Sequence, residues 1–159
     1  MPPLKRDPSL IALSRDHHQG LLRVFFLRQA LRAGSGLDHQ ANVTRAFFES
    51  ELVPHFRAEE DVLFPLLRPL LDAGDDLIDR LVAEHRELEA LSRALDGTAE
   101  ALARYAELLE RHIRTEERVL FELYQARVPA TERAAVGQAL ARATERGDER
   151  TESCARPGG

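Results

Sequence analysis

Two stretches of this chain repeat one pattern, His55-Phe56-Arg57-Ala58-Glu59-Glu60-Asp61-Val62-Leu63-Phe64 and His112-Ile113-Arg114-Thr115-Glu116-Glu117-Arg118-Val119-Leu120-Phe121. Each sets a glutamate four residues after a histidine, and on a helix of about 3.6 residues per turn that spacing stacks the two side chains on one face. Apolar residues fall on the same face in matching registers, Phe48, Leu52, Val62 and Leu66 around the first copy and Tyr105, Leu109, Val119 and Leu123 around the second. Both polar pairs are therefore expected to point into a core. A buried carboxylate costs several kcal/mol unless a cation or hydrogen bonds compensate it. Two inward glutamates thus call for positive charge, which a metal ion supplies.

The rest of the chain reads as the scaffold that joins the copies. Residues from about Ser9 to Ala33 have helical periodicity, with Leu10, Leu13, Leu21, Val24 and Phe25 on one side and Arg15, Asp16, Gln19 and Arg23 opposite. Gly34-Ser35-Gly36 ends this first helix, and Asp38 is the expected N-cap of a second that carries the first copy. Pro54, just before His55, is expected to kink or loosen it. Pro65 and Pro69 bring it to an irregular end, before the break at Asp72-Ala73-Gly74-Asp75. A third helix follows from about Asp76 to Leu95, with Ile78, Leu81, Val82, Leu88, Leu91 and Leu95 as its stripe and His85 in the middle. Asp96-Gly97-Thr98 ends it and caps a fourth, which carries the second copy to about Ala126. Pro129-Ala130-Thr131 opens a short fifth helix to about Thr144. Residues 1–146 are expected to form the folded bundle and 147–159 a disordered tail, polar and poor in apolar residues.

Each half is then a helix with an inward histidine followed by a helix with His-x-x-x-Glu. Short connections make successive helices antiparallel neighbours, which predicts an all-α, up-down-up-down four-helix bundle. The length of 159 residues suits one domain, and 43% hydrophobic residues beside 31% charged suit a soluble helical one. A formal net charge of -5 gives no basic footprint for nucleic acid or an anionic membrane. The opening Met1-Pro2-Pro3-Leu4-Lys5-Arg6 lacks the apolar core of a signal peptide, and the apolar cluster Leu21 to Leu27 is too short to span a bilayer. A cytoplasmic protein is the expectation. The lone Cys154 offers no thiolate cluster, so a metal must be held by nitrogen and oxygen.

In the first helix either His17 or His18 can supply the inward nitrogen; His17 lies nearer the centre of the apolar face and His18 on its flank. His39 reads as a surface residue and Tyr105 as a core aromatic. With this set of residues the chain resembles a hemerythrin-like, or HHE cation-binding, domain from the first helix through the fourth. The resemblance implies two non-haem iron ions, oxo- or hydroxo-bridged, held by His17 (or His18), His55, Glu59, His85, His112 and Glu116. It also implies that the two glutamates bridge the ions and the histidines are terminal ligands. Oxygen-carrying members resemble this pattern but place a second histidine on the third helix, where this chain has Leu81 and Glu89 flanking His85. Glu89 or solvent is left to fill that position, which argues against oxygen storage and for a more open, reactive or sensing site. Those members also set the acid of the fourth helix five residues after the histidine. That register would nominate Glu117, but both copies here agree at four, and Glu60 and Glu117 read as solvated or supporting acids.

Mixed imidazole and carboxylate donors with open positions suit iron first, manganese next, and a structural zinc site would not need six protein ligands. The function expected is that of a di-iron protein that binds, senses or reacts with a small diatomic ligand or peroxide (dioxygen, peroxide, nitric oxide), or that senses iron. The alternative is a helical protein-interaction module in which the metal or polar layer only sets the fold. No catalytic residue is identified.

Overall fold

The computed structural model describes the backbone of residues 5–154 and the side chains of residues 5–145. Its described elements are all helical, with no strand among them. A 3-10 turn at Pro8–Leu10 leads in, capped by the Asp7 carboxylate, which accepts from the Ser9 amide at 3.0 Å. Helix α1 spans Ile11–Ala33 and stops at Gly34, whose φ of 65° lies in the left-handed region that glycine adopts without strain. Helix α2 is a continuous run, residues 37–70, assembled from Leu37–Phe47, Phe48–Leu52, Val53–Ala58, Glu59–Leu63, Phe64–Leu67 and Arg68–Leu70. Its N-cap is Gly36, so Asp38 sits inside the first turn and is not the cap the sequence suggested. Helix α3 is Leu77–Arg93. Helix α4, residues 99–127, joins Ala99–Thr115, Glu116–Leu120 and Phe121–Arg127. The Thr98 hydroxyl accepts from the Ala101 amide at 3.3 Å, the cap expected there.

Helix α5, Ala130–Cys154, runs past Thr144, where the sequence reading ended it, and carries the backbone into the segment expected to be a tail. The stretch 130–154 contains no proline and is rich in Ala, Glu and Arg, and each of its two glycines, Gly137 and Gly147, costs a helix only about 1 kcal/mol. Residues 155–159 of the expected tail lie outside the described residues. Helix α5 is anchored at its start by Arg133, which donates to the carbonyls of Val128 (3.0 Å) and Gln125 (2.6 Å) and pairs with Asp7 at 3.1 Å. Further along, Leu140 enters the core and Gly137 passes so near Ser9 that a Cβ would lie 3.1 Å from its Cα.

Two apolar clusters fill the bundle. One takes Leu10 from the lead-in turn and Leu13 from the start of α1, Leu63 and Leu67 from the end of α2, Leu77 and Leu81 from the start of α3, and Leu120 and Tyr124 from the end of α4. The other takes Val24 and Leu27, Phe48 and Leu52, Leu88, and Leu102 and Tyr105 from the opposite ends. Start, end, start, end is the signature of an up-down-up-down bundle, which this is. Between the clusters lies a single polar layer.

The helices depart from α geometry at three wider turns with i to i+5 hydrogen bonds. The amides of Val53, Phe64 and Phe121 bond the carbonyls of Phe48, Glu59 and Glu116 respectively. The first lies just before Pro54 and absorbs its missing donor inside a continuous helix, the loosening expected from sequence. The other two begin at the repeated glutamates and each adds a residue to a turn. The core stripe therefore shifts by one, from the expected Val62, Leu66, Val119 and Leu123 to Leu63, Leu67, Leu120 and Tyr124, all fully buried, while Val119 is 48% exposed.

Candidate metal centre

The polar layer holds His17 of α1, His55 and Glu59 of α2, His85 of α3, and His112 and Glu116 of α4, each no more than 3% exposed. These side chains form two interlocking groups. His17, His55, Glu59 and Glu116 present one donor atom each within 4.8 Å of one another, and so do Glu59, His85, His112 and Glu116. Both glutamates belong to both groups, and each assigns one oxygen to each. In the first, Glu59 Oε1 lies 2.9 Å from His55 Nε2 and Glu116 Oε2 lies 2.9 Å from His17 Nε2. In the second, Glu59 Oε2 lies 3.2 Å from His85 Nε2 and Glu116 Oε1 lies 3.0 Å from His112 Nε2. The histidine nitrogens approach one another pairwise, 3.1 Å for His17 and His55 and 3.2 Å for His85 and His112.

Each imidazole has its other nitrogen on an acid. His17 Nδ1 meets Glu117 at 2.8 Å, His55 meets Asp16 at 2.9 Å, His85 meets Glu60 at 2.8 Å, and His112 meets Glu84 at 2.7 Å. The four contacts obey one approximate two-fold that exchanges α1 with α3 and α2 with α4. Under it Asp16-His17 becomes Glu84-His85, and Glu59-Glu60 becomes Glu116-Glu117. Since a carboxylate accepts, Nδ1 donates and carries the proton in each ring, leaving Nε2 with its lone pair toward the centre. Acid-backed imidazoles of this tautomer are the form that binds metals, and the backing carboxylate fixes ring orientation and raises basicity.

The inner carboxylates test whether a cation fits. With Nε2 unprotonated, none of the four oxygens of Glu59 and Glu116 has a hydrogen-bond donor, although both residues are fully buried. What faces them at 2.9–3.2 Å are the Nε2 atoms. Nitrogen lone pairs and carboxylate oxygens in such contact repel unless a proton or a metal ion stands between them, so the donor set fits divalent cations of intermediate hardness.

In the metal-free chain protons take that place. Burial alone pulls an imidazole toward neutrality and a carboxyl toward protonation. Here contacts with Glu59 and Glu116 outweigh burial, and His85 is pushed up to about 11 and His55 to about 9, with His17 and His112 raised as well. Against burial and the repulsion of Glu116, the surrounding imidazoles hold Glu59 at about 2; Glu116 also lies well below the usual carboxylate range.

The structure brings together His55, Glu59, His85, His112 and Glu116, and of the two candidates on α1 it places His17 in the layer and leaves His18 exposed. Glu89 joins neither group; its carboxylate pairs with Arg93 at 2.6 Å. His39 is exposed, within α2. Tyr105 is fully buried in the second cluster. Asp16 and Glu84 went unnoticed in the sequence, Asp16 having been assigned to the outward side of α1. Their signal is an acid immediately before the histidine in both halves. Glu60 and Glu117 do more than face solvent: Glu60 also pairs with Arg86 at 2.6 Å, and Glu117 with Arg6 at 2.6 Å and the Ser14 hydroxyl at 2.8 Å. The bonds to His85 and His17 hold both carboxyls below their ordinary range, against partial burial.

Comparison with known proteins gives one result in keeping with this geometry: the family model described as Hemerythrin HHE cation binding domain matches residues 9–124, from the turn before α1 nearly to the end of α4. Neither the curated proteins nor the solved structures give a match.

Proposed function

The chain belongs to the hemerythrin HHE cation-binding family, and from that premise we propose that it is a non-haem di-iron protein that binds, senses or reacts with a small molecule such as dioxygen, peroxide or nitric oxide. One observation carries the reading: two four-donor groups share two buried glutamates, each glutamate giving one oxygen to each group. His17 and His55 would hold one ion, His85 and His112 the other, with Glu59 and Glu116 spanning both. Two nitrogens and two oxygens per ion leave positions open on a metal that prefers six, and the open positions supply the small-molecule chemistry.

The chain's own residues do the rest. Asp16, Glu60, Glu84 and Glu117 lock the four imidazoles in the metal-binding tautomer. The clusters above and below keep bulk water from the layer. Phe56 stacks on His85 with centroids 3.8 Å apart, and Phe121 on His17 at 5.3 Å, covering a ring in each half. Iron ranks ahead of manganese for a mixed imidazole and carboxylate set. No described helix is long and apolar enough to cross a membrane.

A second reading, a helical interaction module with a merely structural layer, draws on exposed apolar residues of α1, Leu22 at 38%, Phe25 at 52% and Phe26 at 43%. Anaerobic reduction of the iron-loaded protein, followed by dioxygen, peroxide and nitric oxide with a visible spectrum after each, separates the two. New charge-transfer or nitrosyl bands with at least one reagent support the di-iron reading; a protein whose spectrum ignores all three supports the module.

A further inference from the structure

The approximate two-fold that exchanges α1 with α3 sets His17 against His85, and alignment on these two histidines pairs the outward faces of the two helices residue by residue. No exposed residue of α3 is both apolar and larger than alanine; Asp79, Arg86, Ala90, Arg93 and, just past its end, Ala94 face the solvent. At the matching positions α1 carries Ile11, His18, Leu22, Phe25 and Phe26, and all of these but the histidine are large, exposed apolar side chains. Both helices serve the polar layer in the same way, so the difference lies only on the side turned away from it. Large apolar residues gathered along one exposed helix face mark a surface made for association.

The charges on this face say what covers it. Arg23 is held by Gln40 and Arg28 by Glu110, which leaves Arg15 and Arg32 as the exposed charges of α1. They stand about 25 Å apart along the helix, too far to act as one site for an acidic partner. We propose that the outer face of α1 is a homodimer interface, in which two copies of this chain pack α1 against α1, antiparallel about a two-fold axis at Leu22. In that register Leu22 meets its own copy, Phe26 comes level with His18, Phe25 with Gln19, Arg15 with Gln29, Ile11 with Ala33, and Arg32 with Ala12. Each outward residue then faces another outward residue, and neither arginine meets a like charge. Parallel packing would set Arg15 beside Arg15 and Arg32 beside Arg32, a juxtaposition that interfaces avoid. A shallow groove of about 390 Å³, bounded by Ile11, Ser14, Arg15, His18 and Gln19, lies at the level where Phe25 and Phe26 of the second copy arrive, so ridge meets groove. Such an isologous contact is the commonest route to a symmetric dimer. The inference holds whatever the polar layer binds, and it gives the exposed residues of α1 a use under the di-iron reading as well.

Sedimentation equilibrium of the full chain tests it. A contact confined to one helix from each copy is small for a stable interface, so the mass should climb from 17.9 kDa toward twice that value with a Kd on the order of 10 µM. Leu22→Arg and Leu22→Glu should each weaken association by about 100-fold or more, because the axis sets the new charge beside its own copy. Leu22 lies outside both apolar clusters, so both variants should keep the parental circular dichroism. Mixed in equal parts, the two variants should recover a dimer at concentrations where each alone is monomeric, since arginine then meets glutamate across the axis. Ala90→Glu, at the matching position of α3, should leave association unchanged. A parental chain still monomeric at about 200 µM overturns the proposal and leaves the face to a different protein. A dimer that survives both Leu22 variants, a mixture that stays monomeric, or an Ala90→Glu variant as impaired as they are also overturns it.

Discussion

Replacing Glu59 by glutamine keeps the shape of the side chain and removes one buried charge. Glu59 has no exposed surface, its Oε1 lies 2.9 Å from His55 Nε2, and its Oε2 lies 3.2 Å from His85 Nε2. Breaking a buried charge pair from one side costs about 3–5 kcal/mol. At 1.4 kcal/mol per factor of ten, affinity for the metal pair should fall by about 10²- to 4 × 10³-fold. Glu60→Gln provides the comparison. It alters a carboxylate 22% exposed that contacts His85 only through Nδ1, and losing such backing costs about 10- to 100-fold. Chelator competition with elemental analysis would measure both, with circular dichroism confirming that the variants fold. Glu59→Gln binding two metals at parental affinity, or Glu60→Gln proving the more damaging, would refute the assignment of the inner carboxylates.

His17→Ala should lose metal while His18→Ala keeps it, because only His17 enters the layer; elemental analysis of the two variants decides between them. In the metal-free protein His55 is raised from 6.5 to about 9, so its stabilising contribution is complete below pH 6.5 and lost as pH rises through about 9. Glu59, lowered from 4.5 to about 2, contributes above pH 4.5 and loses that contribution as pH falls toward 2. Since a metal must displace the imidazole protons, the gap in melting temperature between loaded and metal-free protein should widen from pH 6.5 to 9, and a gap that narrows over this range would contradict the reasoning. Gly20→Leu should destabilise by about 1–3 kcal/mol in urea unfolding, because even a Cβ would lie 2.7 Å from Ile113 Cδ1; an unchanged midpoint would mean that α1 and α4 separate at little cost.

The fold was readable because its information is local. Periodicity placed His85 between Ile78 and Leu88, the glycines at 34 and 36 separated α1 from α2, and the repeated His-x-x-x-Glu fixed the layer. What escaped lies beyond one helix or outside α periodicity. Asp16 looked solvent-facing on α1, because its partner, His55, is on α2 and no single-helix pattern reveals it. The core stripe was followed correctly to Glu59 and Glu116, then slipped by one residue at the turns that begin there, since a wheel of 3.6 residues per turn cannot represent an i to i+5 turn. Phe25, expected inward, is 52% exposed, and Leu27 takes a place in the core. An apolar residue at a flank position can fall on either side, and packing with neighbouring helices decides which.

Anaerobic titration of the metal-free protein with ferrous iron tests the paired centre most directly. Two groups sharing Glu59 and Glu116 predict a break at two equivalents per chain, and after mild oxidation the magnetic and visible signatures of two coupled ions. Saturation at one equivalent, or no binding by a fully folded chain, would contradict it.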